Sequence, residues 1–434
     1  MMMQTIYKFG LNSLKLVYAK SISIRMMSTI QQLSETPVLK ATNELENGFQ
    51  EMKDARQFRS KGAYDSALQL YNRVGDIVQN FGGPHNPMSH AVNRHIFETY
   101  FEANKMDEMK KMIPTLLADG EKQDNIHEKI GNRVAMSRFF VEKNEIDQGK
   151  QLLNDCLSID IKKEASLELF STYILFDYIN HCQDHKKELF IHNDDMLSIA
   201  STSPFPAYYN MIYYNNLASI EYERYRGISS NIEIEKEMKN KEKEEEIMSI
   251  YKKACSYRDL LLQGIDLENT IPKERIRDIL LVSHIYTNFG QMLVLTGMKK
   301  EGGEMLKSAL KLAEKVVDNQ STEMSRILGY MAFISFKEEQ IITSEGLYRT
   351  SVDNYKSLEK QHKLKLQEYS DYISILRGYG TLLSKWDQRE KDGDHLFGQS
   401  FDLETSIYQP NNKTIYENYP SNRLILPTLY KWNY

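Results

Sequence analysis

The stretch from Gly48 to Pro84, GFQEMKDARQFRSKGAYDSALQLYNRVGDIVQNFGGP, holds the pattern that decides the fold. Ala55 and Phe58 fall on a first helix, Lys61-Gly62-Ala63-Tyr64-Asp65 makes a turn, and Ala67, Tyr71 and Val74 recur at helical spacing on a second helix. Gly62 suits a C-cap, where the backbone turns left-handed. Ala67 is small, so two helices can cross closely there, and Tyr71 fills the space beyond the crossing. Gly82, Gly83 and Pro84 then stop the second helix.

Outward from this stretch the unit recurs with a period of roughly 34 residues. Near 283–316, Tyr286, Phe289, Gly290 and Leu293 precede a turn at Gly297, and Gly302, Leu306 and Ala309 follow it. Near 325–358, Ala332 is followed by Ser344-Glu345-Gly346-Leu347-Tyr348 and Ser351. Near 374–407 come Gly380, Gly393, Phe397 and Ser400. Weaker copies lie near 90–120, 130–160, 163–200 and 207–263, the last with Asn215-Asn216-Leu217-Ala218. Helix, turn and helix, with small residues at the crossing and aromatics beside it, resembles the tetratricopeptide repeat family. That resemblance covers most of 42–402 and implies an all-α fold, a TPR-like superhelix (α-solenoid) of about eight helical hairpins. It departs from the family in lacking the first-helix tryptophan. Such scaffolds serve many processes, so the motif is specific for architecture and nearly silent on function.

Composition agrees with a helical chain. The 434 residues are 41% hydrophobic and 26% charged, with only 10 prolines and 21 glycines to break helices. A net charge of −5 argues against nucleic acid as partner. No run approaches about 18 consecutive apolar residues, so no transmembrane span is expected. Cys156, Cys182 and Cys255 are too few and too scattered for a disulfide framework.

Residues 1–34 contain Lys8, Lys15, Lys20 and Arg25 and no acid; the first is Glu35. A basic, hydroxylated, acid-free amphipathic segment has the composition of a mitochondrial transit peptide. Arg25-Met26-Met27-Ser28-Thr29 resembles a processing site. This divides the chain into a transit peptide at 1–27, a linker at 28–41, the solenoid at 42–402 and a tail at 403–434. A disordered tail, or a true start at Met26 or Met27, is the rival reading of 1–34. Residues 227–246 read as a charged insertion, an exposed helix extension or loop whose alternative is a docking site for a basic partner. The tail holds Tyr408, Tyr416, Tyr419, Tyr430, Trp432 and Tyr434 among Pro410, Pro420 and Pro427, and is expected to cap the superhelix or to occupy its groove.

The sequence lacks a phosphate-binding loop, a dinucleotide fingerprint and an H-E-x-x-H motif. His181 and His185 sit four apart beside Cys182, but at an inter-helix break where polar residues are expected, so neither a metal nor a cofactor is assigned. No catalytic residue is assigned either. The working surface is then the concave face, lined by the first helix of each hairpin. Aligning the copies on their turns places Arg56, Arg94, Arg138, Asn216 and Asn288 on it. In the family such asparagines bind the backbone of an extended ligand and basic residues hold its carboxylates. The expected partner is a protein or peptide in the groove. The resemblance, joined to the transit segment, points to mitochondrial tetratricopeptide proteins, matrix or inner-membrane associated, that assemble or maintain respiratory complexes. A cytosolic adaptor or subunit of a large helical-repeat complex is the first alternative, and an enzyme built on a solenoid the second.

Overall fold

The computed structural model describes residues 37–407 apart from short breaks at 61–62, 84–85, 123–125, 144, 159–166, 183–191, 204, 230–234, 269–270, 273–274, 362–363, 365 and 387. The expectations for 1–36 and 408–434, and for His185 and Gly62, lie outside these residues, as do the side chains of His181 and Cys182. The described residues are helical, without a strand among them. Contacts divide the chain into two compact units that meet in sequence at Asn132 and Arg133.

The first unit starts with a helix where a linker was expected. Helix α1 (Pro37–Gly48) overlaps both the predicted linker and the predicted start of the solenoid. Pro37 at the first helical position is pre-set for helix, and Ala41 and Leu45, one turn apart, are buried in the core with Ala55, Ala67, Tyr71 and Val74. The helices α2 (Gln50–Ser60) and α3 (Tyr64–Gly82) form the pair read from the opening stretch, and α4 (Pro87–Glu102) and α5 (Met106–Lys122) form the next. Gly83 ends α3 at φ 81°, a backbone conformation a side chain would strain. The Asn86 side chain caps α4, accepting from the amides of Met88 at 2.9 Å and Ser89 at 3.0 Å, and Pro87 follows at the first turn. Helix α6 (Ile126–Glu142) carries the boundary between the units.

In the second unit the chain continues through α7 (Ile146–Ser158), α8 (Leu167–Cys182), α9 (Asn193–Thr202), α10 (Pro206–Ser229), α11 (Glu235–Ser256) and the single turn α12 (Arg258–Leu261). Three further pairs complete it: α13 (Ile276–Leu295) with α14 (Lys299–Ala313), α15 (Thr322–Lys337) with α16 (Ile341–Lys360), and α17 (Leu366–Ser384) with α18 (Glu390–Ile407). Most helices pack chiefly on a chain neighbour, as in an α-solenoid, while α1 packs chiefly on α4. The charged stretch 227–246 lengthens α10 and α11 on either side of 230–234. There Lys243 lies 3.0 Å from Glu221 of α10 and 2.9 Å from Glu246. The last helix runs past the expected boundary at 402, to Ile407.

One packing device recurs. A β-carbon on Gly302 would fall 2.8 Å from the Gly290 carbonyl, and one on Gly393 2.9 Å from that of Gly380. The Ser344 hydroxyl donates to the Ala332 carbonyl at 2.8 Å, and Ser137 donates to the Gly149 carbonyl at 2.8 Å. At all of these crossings two helix backbones touch through small residues on either side of a turn. Anything larger would push the pair apart and open the core beneath it.

Candidate functional site

Among the described residues, buried polar side chains gather on the first helix of each pair. They include His90, Asn93, His95 and Thr99 on α4, Asn210, Asn215, Asn216 and Ser219 on α10, Ser283, Thr287, Asn288 and Gln291 on α13, and Arg326 on α15. The second helices contribute mainly small ones such as Ser344, Ser351 and Ser400. A buried polar atom without a partner costs roughly 1–3 kcal/mol, so these groups bind one another.

In the first unit Arg59 joins α2 to α4. Its Nη1 donates to Glu98 Oε2 at 2.9 Å, while Nε and Nη2 donate to the two oxygens of Glu102 at 2.8 and 2.7 Å. Burial works to lower the Arg59 pKa, but Glu98 and Glu102 outweigh it and hold the guanidinium well above its ordinary value. Burial raises the pKa of Glu98, with Arg59 opposing. His95 stacks on Tyr71 with ring centroids 5.3 Å apart, and its Nδ1 is buried without a hydrogen-bond partner. Burial, and then the charges of Arg59, Arg94 and Arg56, push its pKa down to about 3. Deeper in the unit, Asn93 donates to Asp119 at 3.0 Å, and the Asn132 amide lies 2.9 Å from His90 Nε2.

In the second unit a longer chain of polar contacts crosses four first helices. Asn215 of α10 donates to Asn216 at 3.0 Å and accepts from Asn288 of α13 at 2.8 Å. Asn288 accepts in turn from Arg326 of α15. Arg326 is fully buried; its Nε lies 3.2 Å from Asp371 Oδ2 on α17, itself fully buried. Tyr330 donates to the other oxygen of Asp371 at 2.7 Å. The His284 ring lies 3.3 Å from Arg326 Nη1 and 3.4 Å from Glu323. Burial alone would lower the Arg326 pKa, but Asp371 raises it; burial would raise that of Glu323, but the hydrogen bond from His284 brings it below the usual carboxylate value. Both therefore stay charged.

The five expected groove residues fall into different settings. Arg56 is half-buried and ion-paired to Glu46 at 2.8 Å. It shares the surroundings of His95 with Arg94, also half-buried. Arg138 sits in the second unit, where burial lowers its pKa although Glu142 opposes the shift. Asn216 and Asn288 are brought together, but at 3% and 0% exposure, with their amide groups bound to other side chains of the wall. That corrects their placement: both sit inside the wall. The reason is that α13 is buried on every side from Leu281 to Val294 apart from the half-buried His284, so its polar edge meets α10 and α15. Arg59, His95, Glu98, Arg326 and Asp371 escaped the sequence reading. The available signal was a charged residue inside an apolar helical run, as at Ser325-Arg326-Ile327.

The arrangement is built for holding helices together. Burial pushes the thiols of Cys156 and Cys255 up to about 12, which leaves neither as a thiolate near neutrality. Among the described residues no three His, Cys, Asp or Glu converge as metal ligands, and no helix is long and apolar enough to cross a membrane. Comparison with protein-family models and with curated protein sequences finds no match for this chain.

Proposed function

We propose that the chain is a non-catalytic protein–protein interaction scaffold, a TPR-like superhelix of about eight hairpins that holds a protein or peptide along its first-helix face. The observation that carries this reading is the repeated small-residue crossing, at Gly290 with Gly302, Ala332 with Ser344 and Gly380 with Gly393. Repeated close crossings build an extended wall of parallel first helices, and such walls present long concave surfaces to extended ligands. On this reading Arg56 and Arg94 of the first unit, and separately Arg138 of the second, would meet acidic groups of the ligand. Asn216 and Asn288, joined through Asn215, hold α10 to α13 within the second unit.

The acid-free basic segment at 1–34 supports a mitochondrial address, with the mature chain starting near Ser28. By resemblance to the tetratricopeptide repeat protein 19 type, its task is assembly or maintenance of an inner-membrane respiratory complex, bound from the membrane surface without spanning it. The test is expression of the full chain with a C-terminal tag, cell fractionation and N-terminal sequencing. Mitochondrial enrichment with a start near Ser28, and respiratory subunits recovered by cross-linking in intact organelles, is the expected result. A cytosolic chain that still begins at Met1 sinks the mitochondrial reading and leaves the cytosolic adaptor.

A further inference from the structure

The crossings supply a common register for the second helices. Four residues after the crossing residue of each stand Tyr71 (after Ala67), Leu153 (after Gly149), Leu306 (after Gly302), Tyr348 (after Ser344) and Phe397 (after Gly393). The first four are at most 2% exposed. Where the next first helix follows in the chain, it covers this position: Tyr71 stacks on His95 of α4, Leu306 packs with Tyr330 and Ile334 of α15, and Tyr348 stacks on Tyr379 of α17 at 5.7 Å. One turn further on, Val352 of α16 is also buried. Phe397 and Phe401 occupy these two positions on α18 and are 37% and 64% exposed. Gly393, Leu396 and Ser400, on the face toward α17, are buried as in the other pairs. So α18 is a complete second helix on one side, and on the other it presents two phenylalanines in the register that the next first helix covers on α3, α14 and α16.

We propose that this face is a docking site for the chain's own C-terminal segment, residues 408–434, which closes the end of the solenoid as an aromatic strap. Four observations select this occupant. The segment leaves α18 at Ile407, where a next first helix would be led in. Its 27 residues can reach about 90 Å when extended, against roughly 27 Å for the 18-residue helix it must cross. Pro410, Pro420 and Pro427 disfavour a further long helix in its sequence, so the docking proposed is that of an extended segment. Its Tyr408, Tyr416, Tyr419, Tyr430, Trp432 and Tyr434 offer the ring chemistry that Tyr379 and His95 supply at the equivalent positions. Solenoid ends need such covers, because an open terminal hairpin exposes the apolar face that each repeat otherwise buries. The inference is independent of the partner and address proposed above.

Hydrogen exchange of the full chain, followed by mass spectrometry of peptides from 408–434, tests it. The wild-type segment should exchange at least tenfold more slowly than an unstructured peptide. Phe397→Ser with Phe401→Ser should abolish that protection. Phe81→Ser, which alters a residue 90% exposed on α3, should leave it intact. Circular dichroism checks that the double variant keeps its helices. Should it lose them, Phe401→Cys reads the same contact: its thiol should label at least fivefold more slowly in the full chain than in one ending at Ile407. Full-rate exchange of 408–434 in the wild type overturns the proposal. So does protection that survives the double substitution, which would place the segment elsewhere. Concentration-dependent dimerisation lost in the double variant, with 408–434 unprotected, would assign the face to a second copy and also overturn it.

Discussion

Arg59 and Arg326 each tie neighbouring hairpins together, and they do so in opposite electrostatic settings. Arg59 in the first unit bridges α2 and α4 with its side chain 17% exposed, and one of its two carboxylates, Glu102, is 37% exposed. Arg326 in the second unit bridges α13, α15 and α17, and neither it nor Asp371 has any exposed side-chain surface. The first is a clamp at the edge of water, where charges attract through a screening medium. The second is a desolvated pair whose worth depends on every partner being present. Stability at Arg59 should therefore degrade by degrees, whereas at Arg326 it should fail as a unit.

The largest effect follows from removing one half of the buried pair. Arg326→Met fills similar space but leaves the Asp371 carboxylate buried with only Tyr330 as donor. Loss of a buried partner of this kind costs about 3–5 kcal/mol. Urea denaturation should show it, and hydrogen exchange should place the loss in α15 and α17. Adding Asp371→Leu should recover most of it, since an apolar pair of similar volume is often neutral. If the single variant costs under about 1 kcal/mol, the two settings are alike and the comparison falls.

Next comes pH, which separates the clusters by what each one excludes. His95 has a folded pKa of about 3 against an ordinary 6.5, chiefly because it is buried and secondarily because three arginines surround it. Its folded value is depressed, so between pH 6.5 and 3 the unfolded chain takes up a proton that the fold refuses. Stability is then complete above pH 6.5 and falls as pH is lowered through this window. The slope is about 1.4 kcal/mol per pH unit once well below 6.5. Glu98, shifted upward, binds its proton more readily when folded and works against this loss at lower pH. Comparing wild type with His95→Phe isolates the imidazole, because phenylalanine keeps the stack on Tyr71 and cannot be protonated. Between pH 7 and 5.5 the wild type should lose about 1 kcal/mol more than the variant, read from exchange of α4 amides. Equal losses would mean that His95 is not held neutral by burial.

Smaller again is the change at the clamp itself. Arg59→Lys keeps the charge but not the fork that meets both oxygens of Glu102 and one of Glu98. The expected cost is about 1 kcal/mol by thermal denaturation, shrinking as salt rises because Glu102 is open to solvent. A salt-independent cost several times larger would make Arg59 a second Arg326.

The same contrast shows what a sequence can and cannot disclose. The crossings at Gly302, Ser344 and Gly393 were legible because close contact within a hairpin is a local demand, met by a small residue at a fixed distance from its turn. The first-unit helix α1 was missed because Ala41 and Leu45 make a stripe too short to read as a repeat. The wall network was missed for a different reason. Arg326 and Asp371 lie on different hairpins, and the rotation of one hairpin against the next is set by packing that leaves no period in the sequence. Asn288 was placed on the correct helix and the wrong side of it for the same cause: a turn fixes where a residue stands along α13, while α10 and α15 determine which of its faces is enclosed.

The smallest expected effect on stability has the most to say about function. Arg56 lies at the rim of the first-unit cluster, 32% exposed and 2.8 Å from Glu46, itself 21% exposed. An ion pair so placed contributes about 0.2–1 kcal/mol, so Arg56→Ala should barely move the unfolding midpoint. Arg56 keeps part of its side chain open to solvent, where a ligand carboxylate would meet it, in contrast to Arg326, which has no exposed side-chain surface. If the groove reading holds, Arg56→Ala should weaken capture of the partner recovered by cross-linking by tenfold or more while leaving the helical content unchanged. A charge-assisted contact worth about 1.5–3 kcal/mol corresponds to that loss. Unaltered capture, with Arg94→Ala and Arg138→Ala equally silent, would move the partner off the first-helix face and leave the arginines as structural on both sides of the comparison.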